Sequence, residues 1–147
     1  MSNYALSTDT SAYLTSKCLW GQNQSNAETW YFENGYIRKG ATRTNSTSSD
    51  WYMPITRLYN VTKLKVQTKF IQTTGSYFDM WNFGIGYVDS NNVLHREMIT
   101  PDYYRNHYSD WTEVEFDFSS RNVPYVDYVV FWGCDGSPGF KPTVEFS

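Results

Sequence analysis

Residues 111–118 read Trp111-Thr112-Glu113-Val114-Glu115-Phe116-Asp117-Phe118. In an extended chain Thr112, Val114, Phe116 and Phe118 fall on one side, and Glu113, Glu115 and Asp117 on the other. Alternation of this kind marks a half-buried strand, with one face toward a core and one toward water. The run 61–71 repeats it. There Leu64, Val66 and Phe70 oppose Lys63, Lys65, Gln67 and Lys69. If the two strands pair, lysines meet carboxylates across the sheet.

The pattern continues outward in both directions. Residues 29–33 and 36–39 flank Asn34-Gly35, a strong hairpin signal because both residues tolerate positive φ. Residues 83–88 and 93–99 flank Asp89-Ser90-Asn91-Asn92, a second hairpin. Residues 125–132 are nearly continuous in apolar side chains, as in a central strand buried on both faces. The Gly/Pro-rich stretch 133–142 reads as a turn before a last strand over 143–146, and the polar stretch 41–50 as a long exposed loop. No window shows a helical period. Eight or so short strands predict an all-β fold, an antiparallel β-sandwich of jelly-roll type. One domain over 1–147 is expected, with 1–16 as a partly ordered arm.

Composition narrows the functional classes. A net charge of −3 with no basic run argues against nucleic acid as a partner. No stretch is long and apolar enough for membrane insertion. The first residues lack the basic start and apolar middle of a signal peptide. The chain is therefore expected in the cell that makes it (cytoplasmic), or acting outside after another route: within a virion, or as part of a larger exported chain to an extracellular place. Asn23, Asn45 and Asn60 head glycosylation-type triplets, read as chance in so Asn/Ser/Thr-rich a chain. Cys18 and Cys134 fit no zinc spacing. They would meet if first and last core strands were neighbours. Two buried thiols is the preferred reading, since nothing marks an oxidising compartment.

Catalytic readings are weak. Carboxylates two apart on a strand stand roughly 7 Å from each other, near the gap of an inverting glycosidase. Glu113, Glu115 and Asp117 would point the same way, however, and opposing lysines make a solvated charge ladder the simpler account. His95 and His107 sit in no nucleophile motif. The 89–92 turn offers oxygen ligands for calcium but lacks the glycine and distal Glu of an EF-hand, so no metal or cofactor is expected.

The aromatic clusters are more informative, at 19% of the chain with 13 tyrosines. Three lie in or beside predicted loops: Trp51-Tyr52; Tyr77-Phe78 with Trp81; and Tyr103-Tyr104 with His107, Tyr108 and Trp111. Each is interleaved with polar residues. An aromatic plane can take the C–H face of a sugar while fixed polar side chains take its hydroxyls. The expected ligand-binding set is Tyr103, Tyr104, Arg105, Asn106 and His107 with Tyr77, Asp79, Trp81 and Asn82. Tyr103 and Tyr104 should face opposite ways.

Four pieces carry a family likeness: 61–66, the 83–99 hairpin, 111–118, and Tyr128-Val129-Val130-Phe131-Trp132 running into Gly133-Cys134-Asp135-Gly136. Together they resemble non-catalytic carbohydrate-binding modules with a jelly-roll sandwich. The Ser/Thr/Asn/Tyr-rich texture is also similar to bacteriophage tail or baseplate adhesion proteins. The resemblance implies a non-enzymatic domain whose partner is an oligo- or polysaccharide, such as a host-surface glycan. A structural domain of a virus particle, meeting other virion proteins, is the alternative. A glycan hydrolase is the third.

Overall fold

The structure, a computed structural model, describes the backbone of residues 2–4 and residues 30–41 and 48–147 in full. Eleven strands are found among them: β1 Ser2–Tyr4, β2 Trp30–Glu33, β3 Tyr36–Lys39, β4 Ser48–Leu58, β5 Lys63–Gln72, β6 Met80–Val88, β7 Leu94–Met98, β8 Thr112–Asp117, β9 Val126–Cys134, β10 Ser137–Phe140 and β11 Val144–Phe146. One sheet contains β3-β10-β5-β8, extended by β2 beside β3 and by β11 and β1 beside β5; the other runs β4-β9-β6-β7. All pairings are antiparallel. Strands β3 to β10 are thus dealt between two four-stranded sets in the interleaved order of a jelly roll.

The registers follow from the alternation. Lys63 pairs with Asp117, Lys65 with Glu115 and Gln67 with Glu113. Lys65 also reaches Glu145 on the opposite side, 3.7 Å away. The other faces of β5 and β8 send Leu64, Val66, Phe70 and Phe116 into the core. From the second sheet Trp51, Met53, Phe83, Ile85, Val129 and Phe131 meet them. Asn34 and Gly35 sit at φ 51° and 80°, joining β2 to β3 as the hairpin signal requires.

Three expectations are corrected. The loop assigned to 41–50 ends early, because β4 begins at Ser48; residues 42–47 lie outside the described residues. Trp51-Tyr52 is consequently strand, with both rings buried. The Pro54 that disguises this strand is tolerated because β4 lies at a sheet edge, where register shifts between Pro54 and Leu58. Second, the stretch 133–142 is not a simple turn. Residues 137–140 form β10, wholly buried between β3 and β5. Its Pro138 falls at a register shift, and a Cβ on Gly139 would stand 2.7 Å from the Ile71 side chain. Small residues there serve close packing. Third, β9 is central, but among the described residues its outer face leaves Tyr128 and Trp132 only half-buried. Cys134 ends β9 rather than a last strand, and it is a buried free thiol; Cys18 lies outside the described residues. Burial, then the charge of Asp135, pushes the Cys134 thiol up to about 11.

Candidate functional site

The outer face of the four-stranded sheet carries an open groove of about 630 Å³. Its floor comes from β6, β7 and β9 through Asn82, Arg96, Met98 and Trp132. Its wall is the segment 100–103, which leaves β7 and turns back over the sheet.

That segment is held by backbone and side-chain bonds. Ile99 N–H donates to Phe83 O at 2.8 Å, and Tyr104 exchanges two backbone bonds with Trp81 (2.9 and 3.0 Å). Asn82 is buried and spends both amide hydrogens on the loop's attachment. Its Nδ2 donates to the carbonyls of Thr100 (3.1 Å) and Asp102 (2.9 Å), while its Oδ1 accepts from Phe83 N–H at 2.9 Å. Loops carried this way on a rigid scaffold are where recognition residues concentrate.

The bridge to Trp81 fixes which way the two tyrosines turn. Tyr104 goes inward, its ring 4.7 Å from that of Trp81. Tyr103 goes outward and lies near-parallel to Trp132, with centroids 5.8 Å apart and planes 12° apart. At that separation parallel rings are offset, not eclipsed. Arg105 then lies over Tyr103 (4.9 Å) and Tyr77 (4.1 Å), so rings and guanidinium run from the groove to the rim. Tyr77 at the rim is 69% exposed.

The remaining members of the expected set are bonded within the fold. Trp81 is 2% exposed, faces the core, and gives its indole N–H to Asn106 O at 2.9 Å. It presents no face to a ligand. Asp79 is 1% exposed, and its oxygens accept from Thr74 N–H, Thr74 Oγ1 and Gly75 N–H (2.6–3.0 Å). It caps a turn and is not an acceptor for a ligand. Asn106 donates to Tyr108 Oη at 2.8 Å. His107 packs on Phe70 and donates through Nε2 to Asp79 O at 2.7 Å. Asn82 lines the groove, but both its donors are occupied. In the 89–92 turn, Asp89 Oδ1 accepts from Asn91 and Val93 N–H, and its Oδ2 faces His95. The carboxylate serves the hairpin.

Sequence reasoning missed Trp132, Arg96 and Arg121. Trp132 was absorbed into an apolar run whose alternation is hard to see, since Val130 beside it is buried as well. Arg96 and Arg121 are single cations with no motif around them. Each is tied to a carboxylate. Arg96 bonds Asp50, which stands across the sheet from Trp132. Arg121 donates to Glu97 at 3.0 Å and to Met98 O at 3.1 Å. Burial holds the Asp50 carboxyl above its ordinary range, with Arg96 opposing, and its Oδ1 is buried without a hydrogen-bond partner among the described residues.

Fold and groove together define an antiparallel jelly-roll sandwich with an open, aromatic-walled site on one sheet. No family model and no curated protein matches the chain. Among solved structures it is similar to "Family 16 Carbohydrate Binding Module-2", at 14% identity and a TM-score of 0.38, over 80% of this chain and 79% of that one. A likeness that remote assigns neither ligand nor residue roles.

Proposed function

We propose that this domain binds carbohydrate without transforming it, through the groove on the four-stranded sheet. The observation that carries the reading is the offset, near-parallel Trp132–Tyr103 pair beside an open groove whose other side chains are mostly polar. Exposed ring area suits the C–H face of a sugar, and the guanidinium and carboxylate groups around it suit hydroxyls. The rings are preorganised, so little entropy is lost in holding them for a ligand. A hydrolase would need a general acid beside a second carboxylate; here Asp50 and Glu97 are both committed to arginines, which leaves Asp102 at the rim as a single carboxylate. The setting proposed with this function is an adhesion device, such as a bacteriophage tail or baseplate, that holds a host-surface glycan.

The test is a glycan array followed by titration of the best ligand. Tyr103→Ala is expected to weaken binding by about 1–3 kcal/mol with the fold intact, as loss of a central aromatic contact does. Tyr104→Ala separates the faces: it touches the core side, and its effect should fall on stability. Unchanged affinity in Tyr103→Ala removes the groove from consideration. Release of reducing sugar from the bound glycan overturns the non-catalytic half. Pull-down of whole bacterial cells examines the adhesion setting.

A further inference from the structure

The charges of the groove are balanced in a particular way. Two guanidiniums of its lining, Arg96 and Arg121, each carry a carboxylate partner, Asp50 and Glu97. At the rim, the exposed Arg105 lies over two tyrosine rings, and Asp102 adds a third carboxylate. Among the described residues of this surface, three cations stand with three anions.

Pairing leaves both kinds of hydrogen-bonding capacity. A guanidinium has five N–H groups, and one carboxylate uses only one or two. Glu97 and Asp102 retain lone pairs. A donor beside an acceptor matches a hydroxyl, which gives and takes a hydrogen bond together. A carboxylate or sulfate only accepts. It would find both guanidiniums already neutralised and would meet Glu97 as a like charge, an arrangement that suppresses wrong partners.

We infer that Asp50 and Glu97 are specificity residues: by neutralising Arg96 and Arg121 they make the groove select uncharged glycans and reject acidic ones. This rests on the reading of the groove as a sugar site. Asp50 acts through Arg96, as it lies beneath the lining; Glu97 faces the groove itself.

The experiment uses matched oligosaccharide pairs at neutral pH: galactan with galacturonan, glucan with glucuronan, mannan with mannuronan. Wild type, Asp50→Asn, Glu97→Gln and Tyr103→Ala are compared, with circular dichroism as the check on folding. Wild type is expected to bind the neutral member of its preferred pair at least about tenfold more tightly. Asp50→Asn and Glu97→Gln each uncover one guanidinium, so each should move that ratio toward one or reverse it by gaining the acidic member. The second variant keeps the test open if the first does not fold. If wild type binds a uronic member as well or better, and Tyr103→Ala abolishes it, the charge selectivity is overturned while the sugar site stands. A ratio unmoved in both carboxamide variants overturns the assignment to these residues. Binding of no member overturns both readings.

Discussion

The two sheets present opposite kinds of surface to solvent. On the outer face of β5 and β8, charges alternate with their partners in register: Lys63 with Asp117, Lys65 with Glu115. On the outer face of β6, β7 and β9, ion pairs also occur, but they frame aromatic rings and an open groove. Both faces are polar and both are nearly neutral. The difference lies in what remains after pairing. The ladder is flat and hydrated, and exposed ion pairs typically contribute about 0–1 kcal/mol. The groove keeps partly uncovered ring area that water solvates poorly, with directed hydrogen-bonding groups beside it. Charge pairing alone therefore does not distinguish the two surfaces; concavity and aromatic area do.

The sharpest way to break the comparison uses two neighbours on β9. Phe131 is fully buried in the core, whereas Trp132 is half-buried on the groove side. Phe131→Ala should cost about 3–5 kcal/mol of stability in denaturant unfolding. Trp132→Ala should lose less stability and instead lose glycan affinity, about 1–3 kcal/mol by calorimetry. Equal destabilisation by both changes would make the groove face a second core.

Asn82→Asp is the next largest. A carboxylate has no N–H for the carbonyls of Thr100 and Asp102, so it sets like partial charges against each other. About 1–3 kcal/mol of stability should go. Amide exchange should rise across 99–104 while the core stays protected. Uniform loss of protection would mean that Asn82 supports the whole sheet and not the wall of the groove.

The ladder should respond least. Glu113→Gln with Glu115→Gln is expected to change stability by no more than about 1 kcal/mol and leave glycan affinity as in wild type. Lost binding in a folded double variant would move the site to this face and revive an acid/base role for these carboxylates.

Much of this was readable from residue order wherever one face of a strand is dry and the other wet. β5, β8 and the Asn34-Gly35 hairpin are such places, because period-two alternation states the register directly. It was less readable where the alternation fails. β9 hides Trp132 among apolar neighbours, and β10 disguises a buried strand as a turn because its Gly and Pro serve close packing. In the groove, Tyr103 and Arg105 were visible as an aromatic, polar loop. Arg96, Arg121 and Asp50 were not, because they come together only through pairings of strands far apart in sequence. Trp81 and Asp79 show the converse: residue types suited to a ligand, buried and bonded to neighbouring loop residues.

The acidic face of β8 has one more consequence, for how copies of the chain meet. Among the described residues β8 pairs only with β5, so its other side is a sheet edge with unpaired backbone groups. Such edges invite a strand from another molecule and, from there, aggregation. If two copies joined antiparallel through this strand, Glu113, Glu115 and Asp117 of one would stand opposite acids of the other, and the repulsion works against such a pair. The side chains that neutralise lysines within one molecule keep two molecules from zipping together.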